Sequence, residues 1–265
     1  MTLRRWSRRS AMAVLAMAML TLGACGDDSD ESASGLDTIR AGTLTVCSDI
    51  PYAPFEFERD GDVVGIDIDL ITAVAEGLDL RVSIKDTDFD GIFAALAAGQ
   101  CDVIASAVSI TDERRQNNEF TGGYYDIRQS LLVRKADAER YTSLDTLRGR
   151  TIGVQAGTTG EAYAQANAAG ATIRSFTGAD ELFTALRAGQ VDGVLQDLPV
   201  NAYHAEASGD TAVSVRFSSE PEQYGFVLKK GNTRLRDAIN SELSDLVAEG
   251  ERTRILRRYL GDAAA

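Results

Sequence analysis

The chain has 265 residues, enough for one large domain or two small ones, and its 44% hydrophobic and 25% charged content excludes disordered and fibrous classes. It is acidic, with 27 basic side chains against 40, and four of the basic ones (Arg4, Arg5, Arg8, Arg9) fall in the first nine residues. A surface of that sign repels phosphate backbones and excludes nucleic acid as a partner; one histidine (His204) and three cysteines (Cys25, Cys47, Cys101) assemble no zinc, haem or iron–sulfur pattern, so no metal or cofactor is expected.

The first feature in chain order is a leader. A basic stretch precedes an apolar run of twelve residues, 11–22, too short to span a bilayer, which needs about 20. The run stops at Leu22-Gly23-Ala24-Cys25, a small-residue site that reads as a cleaved export signal over 1–24. The cysteine straight after the small pair resembles a bacterial lipobox, which makes Cys25 the lipidated first residue of the mature chain. An ordinary secretory signal with an incidental cysteine is the plainer alternative. Residues 25–35, acidic and rich in serine and glycine, read as a flexible tether.

Strand and helix signals then alternate. Residues 43–47 read as a strand, 67–78 as a helix, 81–84 as a strand, 92–98 as a helix and 102–107 as a strand. That order predicts a parallel sheet covered by helices on both faces. The pattern restarts at 150–154. Residues 93–102 (FAALAAGQCD) match 183–192 (FTALRAGQVD) at seven of ten positions, ninety residues on. In each copy a short helix ends at a glycine, which suits the C′ position. Two similar α/β lobes follow from this echo, rather than one large sheet. The last stretch, 232–260, is mostly helical, with Leu235, Ile239, Leu243, Leu246 and Val247 as one apolar stripe.

Open α/β sheets bind ligands at the carboxyl ends of their strands. After the first strand come Asp49, Tyr52, Phe55 and two prolines; after the third come Ser106, Ser109, Thr111 and Arg114. In the second half the corresponding segments are Gln155-Ala156-Gly157-Thr158-Thr159 and Gln196-Asp197-Leu198-Pro199. One lobe offers arginine and hydroxyls, the other a carboxylate and a helix N-terminus, which together suit a zwitterion. Enclosing an unpaired charge costs several kcal/mol, so both ends of such a ligand must be matched. A guanidinium holds a carboxylate bidentately, an aspartate pairs with an ammonium, and Tyr52 and Phe89 supply apolar walls.

Six motifs in one order carry a more specific resemblance. They are Ser48-Asp49-x-x-Tyr52-x-Pro54-Phe55, Gly65-x-Asp67-Ile68-Asp69-Leu70, Phe89-Asp90-Gly91, Ser109-Ile110-Thr111-x-Glu113-Arg114, Gly153-Val154-Gln155-x-Gly157-Thr158-Thr159 and Asp197-x-Pro199. The series resembles the bacterial extracellular solute-binding proteins of family three, which deliver amino acids to ABC importers, over residues 36–261. The resemblance implies a two-lobed periplasmic-binding-protein-like fold, each lobe a mainly parallel sheet with helices on both faces, joined by two hinge crossings near 127–133 and 220–226. Lobe one would comprise 36–128 and 223–265, and lobe two 129–222. It assigns Arg114 to the ligand carboxylate, helped by the Ser109 amide and Thr159, and Asp197 to the ammonium, helped by the Ser109 hydroxyl and the Ala107 carbonyl. Tyr52 and Phe89 match stacking positions, and Asp49 and Ser106 line the side-chain end. The implied partners are an amino acid, an ABC transporter permease, and the membrane through a lipid anchor, with the protein a monomer. Ile66 in place of a usual aromatic, and Thr121-Gly122-Gly123-Tyr124-Tyr125 before the hinge, depart from the family pattern.

Plainer readings stand beside these. Taken alone, Arg114 is one member of the solvated run Asp112-Glu113-Arg114-Arg115, and Asp197 is a helix N-cap ahead of a proline. Tyr52 and Phe89 read as core aromatics. Asp67 and Asp69 read as helix caps, and His204 as a surface histidine. Cys47 and Cys101 are the only thiols of the mature domain, and export permits a disulfide between them. Parallel pairing would stagger them by roughly three residues, about 10 Å, beyond comfortable reach, so the pairing stays open. Asp49 and the overall acidity lean toward a basic or polar amino acid. The alternatives are an exported dehydratase on the same scaffold, with Asp49, Glu56 or Glu161 as acid or base, and a ligand-sensing subunit.

Overall fold

The computed structural model describes residues 35–218 and 220–261; the leader, Cys25 and all of the tether before Gly35 lie outside them. The chain opens with β1 (Thr43–Ser48), the hairpin β2 (Phe57–Arg59) and β3 (Asp62–Val64), α1 (Ile66–Gly77) and β4 (Arg81–Asp86). It continues through α2 (Phe89–Ala97), β5 (Val103–Ile104), α3 (Asp112–Asn117), β6 (Asn118–Phe120) and β7 (Tyr125–Ile127). A second series follows: β8 (Gln129–Arg134), β9 (Thr151–Gln155), α4 (Thr159–Asn167), β10 (Thr172–Phe176) and α5 (Ala179–Arg187). It is completed by β11 (Gly193–Asp197), α6 (Leu198–Ser208) and β12 (Thr211–Arg216). The return consists of β13 (Glu222–Tyr224), β14 (Val227–Lys229), α7 (Thr233–Ala248) and α8 (Glu251–Leu260).

Two five-stranded sheets result, in the orders β4-β1-β5-β14-β6 and β10-β9-β11-β8-β12. Each is parallel except for one strand, β14 in the first and β8 in the second, which runs antiparallel to both neighbours. In both cases the odd strand is the one that arrives straight from the other lobe. Between the sheets, β7 and β13 pair antiparallel, Ile127 opposite Glu222 and Tyr125 opposite Tyr224. The chain therefore crosses between the lobes twice, through a short ribbon.

The ninety-residue echo has a structural cause. Gly99 and Gly189 both adopt φ 70°, a left-handed turn that ends each helix cheaply only at glycine. The aspartate three residues on then pins the first parallel strand of its own lobe. Asp102 accepts the Thr45 amide at 2.8 Å and the Ile39 amide at 2.7 Å, and Asp192 accepts the Thr151 amide at 3.0 Å.

In the first lobe α1 buries Ile66, Leu70, Ile71 and Val74 against Leu44 and Val46 of β1. Leu131, Val133, Ile152, Val154 and Leu195 form the corresponding layer of the second. Along α7, Leu235, Ile239 and Leu243 are buried, but Val247 is 56% exposed and leaves the expected stripe. Residues four apart drift by about 40° per step on a helix, so a third step carries the side chain off the buried face.

Four further expectations are corrected. The strand expected over 102–107 shrinks to Val103–Ile104, because the chain turns out of the sheet at Ala107, with φ 47°. Neither Asp67 nor Asp69 caps α1. That helix starts at Gly65, where φ is 141° and an added Cβ would meet the Phe55 carbonyl oxygen at 2.0 Å. Asp67 instead accepts the Ala107 amide at 2.8 Å and the Tyr124 hydroxyl at 2.6 Å, while Asp69 takes Arg258 and the Tyr259 hydroxyl. His204 is half-buried and stacked on Phe183, ring centroids 3.9 Å apart, rather than a free surface side chain.

Cys47 and Cys101 are joined in a disulfide, with Cα atoms 5.7 Å apart. The three-residue stagger is present, since Cys47 pairs with Ile104. The chain before β5 is not extended, however. It curls back from the Gly99 turn, and the Asp102 amide bonds Thr45 O at 2.8 Å. A cross-link over 54 residues restrains the unfolded chain by about 4 kcal/mol on a loop-entropy basis.

Candidate functional site

The carboxyl ends of β1, β5, β9 and β11 meet around one cavity, lined by Asp49, Tyr52, Phe89, Ser106, Ala107, Ser109, Arg114, Gln155, Thr158, Thr159 and Asp197. The nine positions singled out in the sequence all lie on its wall. Gln155 and Thr158 join them.

Arg114 reaches the cavity from α3, a one-and-a-half-turn helix held at its start by Thr111, whose hydroxyl accepts the Arg114 amide at 3.1 Å. Its guanidinium carbon lies 5.5 Å from the Phe89 ring centroid and 5.2 Å from that of Phe93, within cation–π range. Nη1 donates to Ser109 O at 2.8 Å within the first lobe, and Nη2 donates to Gly157 O at 3.0 Å across the cleft. Burial pulls its pKa down, opposed by the charges of Glu222 and Asp197, but a guanidinium stays protonated in proteins. Its neighbours Asp112, Glu113 and Arg115 are exposed, so the solvated-run reading holds for them and not for Arg114.

Asp197 ends β11 and occupies the N-cap position of α6, with Pro199 in the first turn, yet its side chain makes no cap hydrogen bond. The carboxylate turns inward instead. Oδ2 accepts the hydroxyls of Tyr52 (2.8 Å) and Tyr224, and Oδ1 accepts Gln129 Nε2 at 2.6 Å. Burial first, and then the charge of Glu222, raise its pKa to about 6 against these donors. Tyr52 is thus more than an apolar wall, since its one hydroxyl hydrogen is shared between Asp197 and Gln196 Oε1, also 2.8 Å away, and bridges the lobes.

At the far end of the cavity, the Asp49 amide donates to Ser106 Oγ at 2.9 Å and its carboxylate accepts Gln155 Nε2 at 2.6 Å. Burial, followed by the charges of Asp88, Asp86 and Asp90, pushes Asp49 up to about 7. The Ser106 hydroxyl donates in turn to Glu56 Oε1 at 2.9 Å, and Glu56 is held well above the usual carboxylate range by burial and by Asp67. Glu161 lies outside this cavity, its carboxylate accepting the Gly157 amide at 2.8 Å and the Ser175 hydroxyl. The Ser109 and Thr159 hydroxyls face each other across the cleft at 3.5 Å.

Sequence reasoning assigned no role to Gln129, Gln155, Glu222 or Tyr224. Gln155 was findable, since it ends β9 as Asp197 ends β11. Glu222 and Tyr224 lie on β13, whose three residues carry no usable period, and Gln129 opens β8 directly after the first crossing. Among the described residues no three acidic, histidine or cysteine side chains could hold a metal ion, and no helix is long and apolar enough to cross a membrane.

The profile of the bacterial extracellular solute-binding proteins, family 3, matches residues 44–262. The L-cystine-binding protein TcyJ of Escherichia coli (strain K12) is 27% identical over 263 residues, 98% of each chain. The structure of AbpA, an amino acid ABC transporter substrate-binding protein of Streptococcus pneumoniae bound to L-arginine, is 29% identical. It superposes with TM-score 0.79, covering 84% of this chain and 97% of that one. An ancestral amino-acid-binding protein, AncCDT-1, described as a precursor of cyclohexadienyl dehydratase, is 33% identical with TM-score 0.77, over 82% and 95% of the two chains.

Proposed function

The chain belongs to the bacterial extracellular solute-binding proteins of family 3, and on that premise we propose that it encloses one amino acid with a cationic side chain and delivers it to an ABC transporter permease. The observation that carries this reading is the placement of Arg114 and Asp197 on opposite walls of one cavity. Arg114 takes the carboxylate, with Ser109 and Thr159 beside it. Asp197 takes the ammonium, which replaces the Tyr52 hydroxyl as its donor, with the Ser109 hydroxyl and the Ala107 carbonyl as further partners. Phe89 and Tyr52 flank the ligand. Asp49 faces the side-chain end, with Ser106 beneath it, and three more aspartates, Asp86, Asp88 and Asp90, add their field there. A cation at that end supplies the counter-charge that lets Asp49 ionise.

Lobe one, 36–128 with 223–265, and lobe two, 129–222, turn about the two crossings and close on the ligand. AbpA, bound to L-arginine, supports the substrate class. Thermal-shift and calorimetric titration with the twenty common L-amino acids should give one-to-one binding, strongest for arginine or lysine. At a thousand times Kd the stabilisation reaches about 4 kcal/mol. No rise in melting temperature with any amino acid would overturn the reading. The dehydratase alternative has a neighbour in AncCDT-1, itself an amino-acid-binding precursor of such an enzyme, and a titratable acid in Asp49. The same preparation incubated with prephenate or arogenate is expected to yield no aromatic product.

The leader supports an exported lipoprotein anchored to the outer face of the cell membrane through Cys25. Cys25→Ser should move the protein from the membrane fraction into the soluble extracytoplasmic fraction. Unchanged membrane retention would argue against the anchor.

A further inference from the structure

Asp197 is held from the hinge. Gln129 stands at the start of β8, directly after the first crossing, and is fully buried. Its Nε2 donates to Asp197 Oδ1 at 2.6 Å and to Glu222 Oε1 at 3.0 Å, with Thr159 Oγ1 farther off at 3.4 Å. An amide nitrogen carries two hydrogens, so the two carboxylates take both. Flipping the amide would set its oxygen against two carboxylates, so the orientation is forced. Glu222 and Tyr224 lie two apart on β13, on one face of the strand, and both point at this spot. The other carboxylate oxygen of Glu222, Oε2, is buried without a hydrogen-bond partner.

Glu222 takes the second hydrogen of the Gln129 amide, and it does so with a full charge where a neutral acceptor would have sufficed. Glu222 thereby adds a second negative charge behind the first. It acts on both ends of the clamp: it is the leading charge acting on Arg114, and it raises the pKa of Asp197. The remaining groups facing Asp197 are the hydroxyls of Tyr52 and Tyr224 and the Arg114 guanidinium.

We propose that Glu222 is a positioning residue for the ammonium site, which through the Gln129 amide fixes Asp197 in the cleft and ties the charge of that carboxylate to the hinge. The inference rests on the amino-acid-binding reading and deepens it. Two carboxylates on one amide favour a ligand with a free ammonium, which adds positive charge directly beside Asp197. Gln129 faces Asp197 across the β8–β11 ladder, whereas Glu222 sits on β13 of the hinge ribbon, so the amide links the ribbon to the ammonium site.

The test follows the Asp197 carboxyl by carbon NMR in the ligand-free protein, assigned with Asp197→Asn, alongside calorimetric titration with L-arginine between pH 4.5 and 8. Glu222→Gln should lower the Asp197 midpoint by about one pH unit and move the acid limb of arginine binding down with it. Glu222→Asp should leave both close to the wild-type position. Gln129→Met, which removes a donor from the carboxylate, should shift the midpoint upward, opposite in sign. A midpoint unmoved by Glu222→Gln in a protein that melts like the wild type overturns the proposal. So does an equal loss of affinity at every pH, which marks a merely structural role. If the wild type fails to bind L-arginine, the substrate reading fails in that arm alone, and the carboxyl titration still decides whether Glu222 acts on Asp197.

Discussion

Arg114→Ala is expected to abolish amino-acid binding while leaving the fold standing. In the bound state the guanidinium would exchange its Gly157 and Ser109 carbonyl partners, or share them, with the ligand carboxylate. Two charge-assisted hydrogen bonds at roughly 1.5–3 kcal/mol each amount to a loss of roughly 10² to 10⁴ in affinity. The ligand carboxylate would also be enclosed without a counter-charge, which pushes the loss toward the upper figure. The substitution opens no core cavity, because α3 buries no residue. The free protein should therefore melt within a few degrees of the wild type. Arg114→Lys should fall between the two, keeping the charge but losing the planar fork. Calorimetry with the best amino acid from the screen decides it. An affinity within threefold of the wild type would remove Arg114 from the clamp.

Much of the fold was legible because its signals were local. The apolar spacing of α1, the glycine stops after α2 and α5, and the echo at ninety residues all follow from helix periodicity and capping, which a single stretch of chain displays. The same echo held more than was read from it. Asp102 and Asp192 recur because each ties the first parallel strand of its lobe, a contact 57 residues distant in one case and 41 in the other. The site was legible to the same extent. Segments after strands could be searched, and that search returned Arg114, Asp197, Tyr52 and Asp49. Hidden from it was the support of Asp197, which comes from Gln129, 68 residues earlier, and Tyr224, 27 residues later. Nothing in a three-residue strand announces which face of it will meet a carboxylate from another lobe. The disulfide was obscured for a related reason. Strand register alone separates Cys47 from Cys101, and only the turn at Gly99 brings the two together.

Asp197 should give the protein opposite pH responses in its free and bound forms. Burial and Glu222 raise its pKa from 3.8 to about 6 in the native state. Between those values the native protein binds more protons than the unfolded chain, so the Asp197 contribution makes free-protein stability fall as pH rises through that window. Ligand affinity should move the other way. The ammonium needs the ionised carboxylate, so each pH unit below about 6 should weaken binding by roughly tenfold, as binding must first expel a proton. Asp49, raised to about 7, adds a second acid limb for a ligand with a cationic side chain, and that limb should be absent for a neutral analogue. Asp197→Asn keeps the shape of the residue and its place at the start of α6 but cannot ionise. It should lower affinity at pH 7.5 by roughly 10² to 10³, the scale for leaving a buried ammonium unpaired, and erase the lower limb while sparing the Asp49 one. Calorimetric titrations from pH 4.5 to 8 on the wild type and the variant measure both quantities. A variant that still shows the lower limb would mean that the ammonium is held elsewhere, and the two-walled clamp would have lost one of its walls.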